Sequence, residues 1–175
     1  MMTVDEDVAD KYDYTTTFKN DHDEDKECVC FNKIGPDGLI DGFFAKNVAL
    51  TFTVPASSSQ VVAFDADSQG GCACASNKVP TTSDGQWAST WLEFDFGSER
   101  NNNWSGADAS CLVSAAKNLN IPGLRVCDSE NTCSIIYPGG TGKNAYLGGM
   151  EAEDGIGINT PLKQVRLTVD IDYSA

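Results

Sequence analysis

Near the end of the chain, Val165, Leu167, Val169, Ile171 and Tyr173 alternate with Gln164, Arg166, Thr168, Asp170 and Asp172. A period of two puts successive side chains on opposite faces of a strand, so this segment is predicted as a half-buried β-strand. Residues 90–96 alternate in the same way. Leu92, Phe94 and Phe96 share one face, while Trp91, Glu93 and Asp95 share the other. Two further strands are predicted. In 47–54, Val48, Leu50, Phe52 and Val54 point inward; in 60–67, Val62, Phe64 and Ala66 oppose Val61, Ala63 and Asp65. Shorter strands are expected at 124–127 and 133–137.

Only one segment has helical spacing. Ala107, Cys111, Leu112, Ala115 and Leu119 recur at intervals of three and four, and Asp108 would favour the N-terminal end of such a helix through its dipole. Pro122 and Gly123 would close it. Turn signals separate the other elements. Gly35-Pro36-Asp37-Gly38 is one, and residues 138–157, with seven glycines in twenty positions, read as long loops. Short strands with turns between them, and at most one helix, predict an all-β antiparallel sandwich or barrel. There is no repeat period and no βαβ alternation.

Charge divides the chain. Residues 1–27 carry ten Asp and Glu against three Lys, half of the formal net charge of −14. They read as a solvated, disordered arm or pro-segment, with a single β domain at 28–175. The strong acidity excludes nucleic acid as a partner and opposes binding to an anionic membrane. No apolar run approaches the ~18 residues of a membrane-crossing helix. Met1-Met2 opens a polar stretch, so a secreted protein is expected to be present in mature form with an added start. Asp21-Asp23-Asp25 and Asp65-Asp67-Gln69-Gly70 imitate the start of a calcium loop. The first has Lys26 where the sharp turn needs glycine, and the second ends on Ser76 rather than glutamate. Neither is read as a metal site, no cofactor is expected, and 65–70 is read as a hairpin end.

Seven cysteines, Cys28, Cys30, Cys72, Cys74, Cys111, Cys127 and Cys133, imply three disulfides, one odd thiol and an oxidising compartment. Residues i and i+2 of a strand point the same way, so neither CxC pair is expected to bond within itself. Each of those four cysteines should reach elsewhere, while Cys127 and Cys133 flank a turn and could close a hairpin. The rival reading is zinc. It lacks partners, because His22 is the sole histidine. The odd cysteine is either a buried spectator or the link in a homodimer.

Chemistry concentrates between residues 87 and 105. Trp87, Trp91 and Trp104 could form a platform on which sugar rings stack, with Glu93 and Asp95 bonding hydroxyls. Asn103-Trp104-Ser105 is a glycosylation acceptor triplet. Glu93-Phe-Asp95-Phe-Gly-Ser-Glu99 resembles the strand signature of the laminarinase and lichenase jelly-roll glycosidases. The resemblance implies Glu93 as nucleophile, Asp95 as helper and Glu99 as acid. The spacing departs from that family: Glu99 follows Asp95 by four positions, too far along a strand for two carboxyls that must lie ~5–5.5 Å apart. No histidine lies in the predicted β domain, so Ser–His and Cys–His pairs have no base. Gly139-Gly-Thr-Gly-Lys143 lacks phosphate-loop spacing and reads as a hairpin loop.

As a whole, a small acidic domain with several cysteines, a sequon and an acidic leader resembles the small secreted cysteine-rich effector proteins of plant-associated fungi. Within that class, Trp91-Leu-Glu93-Phe-Asp95-Phe-Gly-Ser-Glu99-Arg100, the later cysteines and the terminal alternating strand are similar to the Alternaria major-allergen β-barrel family. The CxC pairs and the helix candidate depart from it. The resemblance implies a secreted, non-enzymatic virulence-type protein that binds a host protein or a cell-wall glycan. The alternative is a carbohydrate-binding module or a degenerate glycosidase using Glu93, Asp95 and Glu99.

Overall fold

The computed structural model describes residues 1–174. Thirteen strands form two stacked sheets. In chain order they are β1 (Met2–Val4), β2 (Tyr14–Asn20), β3 (Lys26–Asn32), β4 (Leu50–Val54), β5 (Ser58–Phe64), β6 (Ser68–Ser76), β7 (Trp91–Phe96), β8 (Ser105–Ser110), β9 (Leu124–Cys127), β10 (Cys133–Ile136), β11 (Gly142–Lys143), β12 (Ile158–Thr160) and β13 (Val165–Ile171). The α-helix, α1, covers only Leu112–Ala116. One sheet runs β1-β5-β2-β13-β9-β10-β11 and the other β12-β8-β7-β6-β3-β4. The predicted all-β sandwich is present. It is not wholly antiparallel, because β13 pairs with β2 in parallel from Val165↔Tyr14 to Asp170↔Lys19.

The core lies between the sheets and follows the alternation. Phe18, Val62, Val126, Leu167 and Val169 come from the first sheet, and Leu92, Phe94, Phe96, Ala107 and Ala109 from the second. Two disulfides cross the inner face of the second sheet between register partners, Cys28–Cys74 and Cys30–Cys72. Cys127–Cys133 closes the β9–β10 hairpin.

The solvated-arm reading of residues 1–27 is corrected. Strand β2 sits between β5 and β13, and Phe18 is only 1% exposed. The charges misled because they fall on the turns and edges. Glu6–Lys11 is a 3-10 helix outside the core, and residues 21–25 form the β2–β3 connection. One charge does go inside. Lys26, 1% exposed, pairs with Asp172 at 2.6 Å and Glu24 at 2.9 Å. A buried ammonium held by two carboxylates ties the start of β3 to the residue after β13.

Two other expectations change. The helix predicted over 107–119 is present only as α1, Leu112–Ala116, and its first residues, 107–110, belong instead to β8. The 65–70 segment is no hairpin end. It carries the chain from β5 in one sheet to β6 in the other. Residues 107–119 and strand β6 consist largely of Gly, Ala, Ser and Cys, whose small size blurs the apolar–polar contrast from which strands are read.

Candidate functional site

The outer face of the second sheet is where the unusual residues gather. On β7, Trp91, Glu93 and Asp95 point outward. Pairing places Ser110, Asp108 and Gly106 of β8 directly opposite them, and Ala73, Gly71 and Gln69 of β6 on the other side. Two long connections, 33–49 and 77–90, fold over part of this face and pair with each other: Phe44 bridges Gln86, and the Trp87 amide donates to the Phe43 carbonyl at 3.0 Å. Beneath them Val29, Phe31, Ala73, Val79, Trp87 and Trp91 make a second, smaller core. Where this cover stops, a groove opens.

The groove has a volume of about 720 Å³, and Trp91, Glu93, Asp95 and Asp108 are among the residues that line it. Phe31 and Phe43 form its aromatic side, with ring centroids 4.9 and 6.2 Å from Trp91. Gly71 is required here: a Cβ on it would meet the Phe31 ring at 2.8 Å, so its absence lets the ring lie beside Glu93. The opposite wall is Tyr146, residues 154–156 and the start of β12. Gly157, at φ +106°, presses against Asp108, and a Cβ there would stand 2.7 Å from the Asp108 Cβ. Glycine meets both the φ requirement and the close approach. Lys33 and Arg100 are the cations on the lining.

The electrostatics follow from carboxyls crowded in a sheltered place. Burial, then the charge of Glu93, push Asp108 up to about 9. Burial also raises Glu93, against a hydrogen bond from Ser110 and the charge of Lys33. Asp95 is raised by burial, against hydrogen bonds from Gln69 and Ser98 and the charge of Lys33. The Gln69 amide donates to Asp95 Oδ2 at 2.9 Å. Two facing carboxyls cannot both ionise at neutral pH, so Asp108 keeps its proton and the groove offers donors as well as acceptors. Three polar atoms here are buried without a partner: Asp95 Oδ1, Asp108 Oδ1 and Trp91 Nε1. Trp91 is 7% exposed. Buried polar atoms on a groove lining that find nothing within the protein are groups a ligand can satisfy.

Of the residues singled out in the sequence, Trp91, Glu93 and Asp95 share this groove. Trp87 does not line it and packs in the small core. Trp104 is exposed and outside the lining. Glu99 is exposed on a 3-10 turn after Gly97 and outside the lining, so the glycosidase-like trio is not assembled. Asn103 is exposed at φ +60°, while Ser105 of its triplet is buried and accepts the Gly97 amide at 2.9 Å. The odd cysteine is Cys111, 2% exposed. Of the two alternatives, the buried spectator is the one present, and a homodimer link through this sulfur would require the sandwich to open. Asp108, Phe31, Phe43, Lys33 and Tyr146 were not foreseen as site residues. The signal that could have found Asp108 is the alternation of Gly106, Asp108 and Ser110 with Ala107 and Ala109, which places it on a strand. Among the described residues no cluster of His, Cys, Asp and Glu is arranged to hold a metal.

The family model of the Allergen Asp f 4-like domain matches residues 1–171. The chain is 35% identical over 168 residues to Allergen Asp f 4 of Aspergillus fumigatus, covering 94% of this chain and 52% of that protein. It thus spans about half the length of that curated relative. Among solved structures, the protein elicitor MoHrip2 from Magnaporthe oryzae shares the fold with a TM-score of 0.51 at 11% identity, covering 91% of this chain and 98% of that one. Both of these proteins come from fungi.

Proposed function

The chain belongs to the Asp f 4-like allergen domain family, and from that premise we propose that it is a secreted fungal interaction protein whose groove binds a neutral glycan. The observation that carries this reading is the groove lining. An aromatic wall of Trp91, Phe31 and Phe43 stands beside Glu93, Asp95 and Asp108, with buried polar atoms that lack partners. Sugars present an apolar ring face and a rim of hydroxyls, and a lining of both kinds complements them. Carboxyls dominate over two cations, which favours an uncharged chain over an anionic one. Three disulfides support an oxidising, extracellular setting. Among the described residues no helix is long and apolar enough to cross a membrane.

Calorimetric titration with β-glucan and chitin oligomers tests the reading. Binding by the parent chain, weakened at least tenfold in W91A and in E93A, is the expected result. Unchanged affinity in both variants would place any glycan elsewhere. A second reading, a host protein as partner, is favoured by the exposed apolar tip of the 33–49 connection, where Leu39 and Ile40 are 62% and 61% exposed. The variant L39S separates the two, because Leu39 lies outside the groove lining. It should leave oligosaccharide binding intact and abolish capture of a protein ligand.

A further inference from the structure

We infer that Glu93 and Asp108 hydrolyse the glycan held in the groove, cleaving glycosidic bonds of a neutral glucan chain with retention at the anomeric carbon. The inference rests on the glycan-binding reading and goes beyond it. Its geometry comes from the β7–β8 register, in which the two residues are direct partners. Directly opposed strand residues carry Cβ atoms ~4.5–5.5 Å apart, and their side chains leave the sheet on the same face. Retaining glycosidases use two carboxyls ~5–5.5 Å apart, a separation within reach of two such side chains leaving one face of the sheet. The pair that the sequence signature sought along one strand, at Glu93 and Glu99, is instead supplied across two strands. Both carboxyls lie on the lining, beside the aromatic wall. Trp91, which precedes Glu93 on the same face, contributes an independent pointer to a ligand: a side chain more than nine-tenths buried whose Nε1 has no partner.

The roles divide by environment. Asp108 has Gly157 packed against it and Glu93 facing it, and holds its proton, as a general acid must. Burial raises Glu93 as well, but the Ser110 hydrogen bond and the charge of Lys33 oppose that rise, and it is the charge of Glu93 that helps to hold the proton on Asp108. The other charged or titratable groups on the lining are Asp95, Asp154, Arg100 and Tyr146. In the first step a Glu93 carboxylate oxygen bonds to the anomeric carbon as the bond to the leaving oxygen breaks, and the Asp108 proton passes to that oxygen. In the second, a water oxygen bonds to the anomeric carbon, the bond to Glu93 breaks, and a water proton returns to Asp108. One water is consumed, one new reducing end appears, and nothing is oxidised or reduced.

The test uses the full chain with β-1,3-glucan, β-1,4-glucan and chitin oligomers. Products are followed by mass spectrometry in ¹⁸O-water, and binding is measured in parallel by calorimetry. The expected result is chain shortening of a glucan with one ¹⁸O at each new reducing end. Turnover should fall roughly 100-fold or more in E93Q and in D108N, with cooperative melting retained. An oligomer that binds and is never shortened overturns hydrolysis and leaves the binding reading standing, as does turnover unchanged in E93Q and D108N. Absence of binding by every oligomer overturns both.

Discussion

Glu93 and Asp108 are register partners on adjacent strands, one acid facing another in a sheltered groove. Nothing in folding alone favours this. Two neutral side chains there would cost less than two carboxyls deprived of water. The arrangement therefore has a measurable signature in stability.

The sign follows from the proton count. An unfolded aspartate titrates near ~3.9, whereas folded Asp108 is pushed up to about 9 by burial and by Glu93. Between these values the folded chain holds a proton that the unfolded chain has lost. Stability contributed at this site is therefore present at low pH and lost as pH rises through that window. D108N removes the effect. It should melt higher than the parent at pH 8, by about 2–4 °C for each kcal/mol relieved, and match it near pH 4. Calorimetry at the two pH values decides it, and an equal or lower melting temperature at pH 8 would refute it. Glu24, whose carboxyl is lowered by hydrogen bonds from Ser76 and Lys26, acts on the acid side of both proteins alike.

Deleting residues 1–24 should abolish cooperative folding. The deletion removes β2 from between β5 and β13, and with it Tyr14 and Phe18 of the core. A milder probe is F18A, which empties a site packed against Phe52 at 5.2 Å between centroids. A loss of about 3–5 kcal/mol in urea unfolding is expected for a buried phenylalanine. A truncated chain that still melts sharply would show that the sandwich closes without β2.

How far the sequence could be read depended on side-chain size. Where large apolar residues alternate, as in 165–173 and 91–96, strand, face and burial all follow from the pattern, and Trp91, Glu93 and Asp95 were found together. The inner-facing Gly70, Cys72 and Cys74 of β6 and Ala107 and Ala109 of β8 bury little area, and alanines score for helix as well as strand. Asp108 was consequently placed on a helix end, and half of the carboxyl pair was missed. The long connections bearing Phe43 and Ile40 have no periodicity. Only tertiary pairing, such as that of Phe44 with Gln86, brings them over the groove. Net charge misled at the N-terminus because a sum over residues 1–27 does not show that the acids fall on turns and edges around β2.

The Cys28–Cys74 and Cys30–Cys72 bridges should stabilise unequally, according to whether the other is present. Their partners are 46 and 42 residues apart in sequence. By chain entropy, closing a loop of that length is worth about 4 kcal/mol, but only about 2 once the neighbouring bridge has shortened it to a few residues. Removing either bridge by paired Cys→Ala substitution should therefore cost far less than removing both. Additive losses in urea unfolding would contradict the ladder.

Cys111 should stay silent until the chain opens. Buried among core residues, its thiol is raised by burial. Ellman's reagent is expected to find one thiol, reacting at the rate of unfolding, and non-reducing electrophoresis to show monomer. Immediate reaction, or a disulfide dimer, would mean that the sulfur reaches the surface.

The ladder has one more effect, on what an extracellular protease can achieve. Everything from Phe31 to Gly71 lies within the ring closed by Cys30–Cys72, including the protruding Leu39-Ile40 tip where a cut is easiest. A single cut there severs the backbone yet releases nothing, since both new ends stay chained to the same sandwich. Such a nicked molecule keeps its surface and its mass until a reductant frees the pieces.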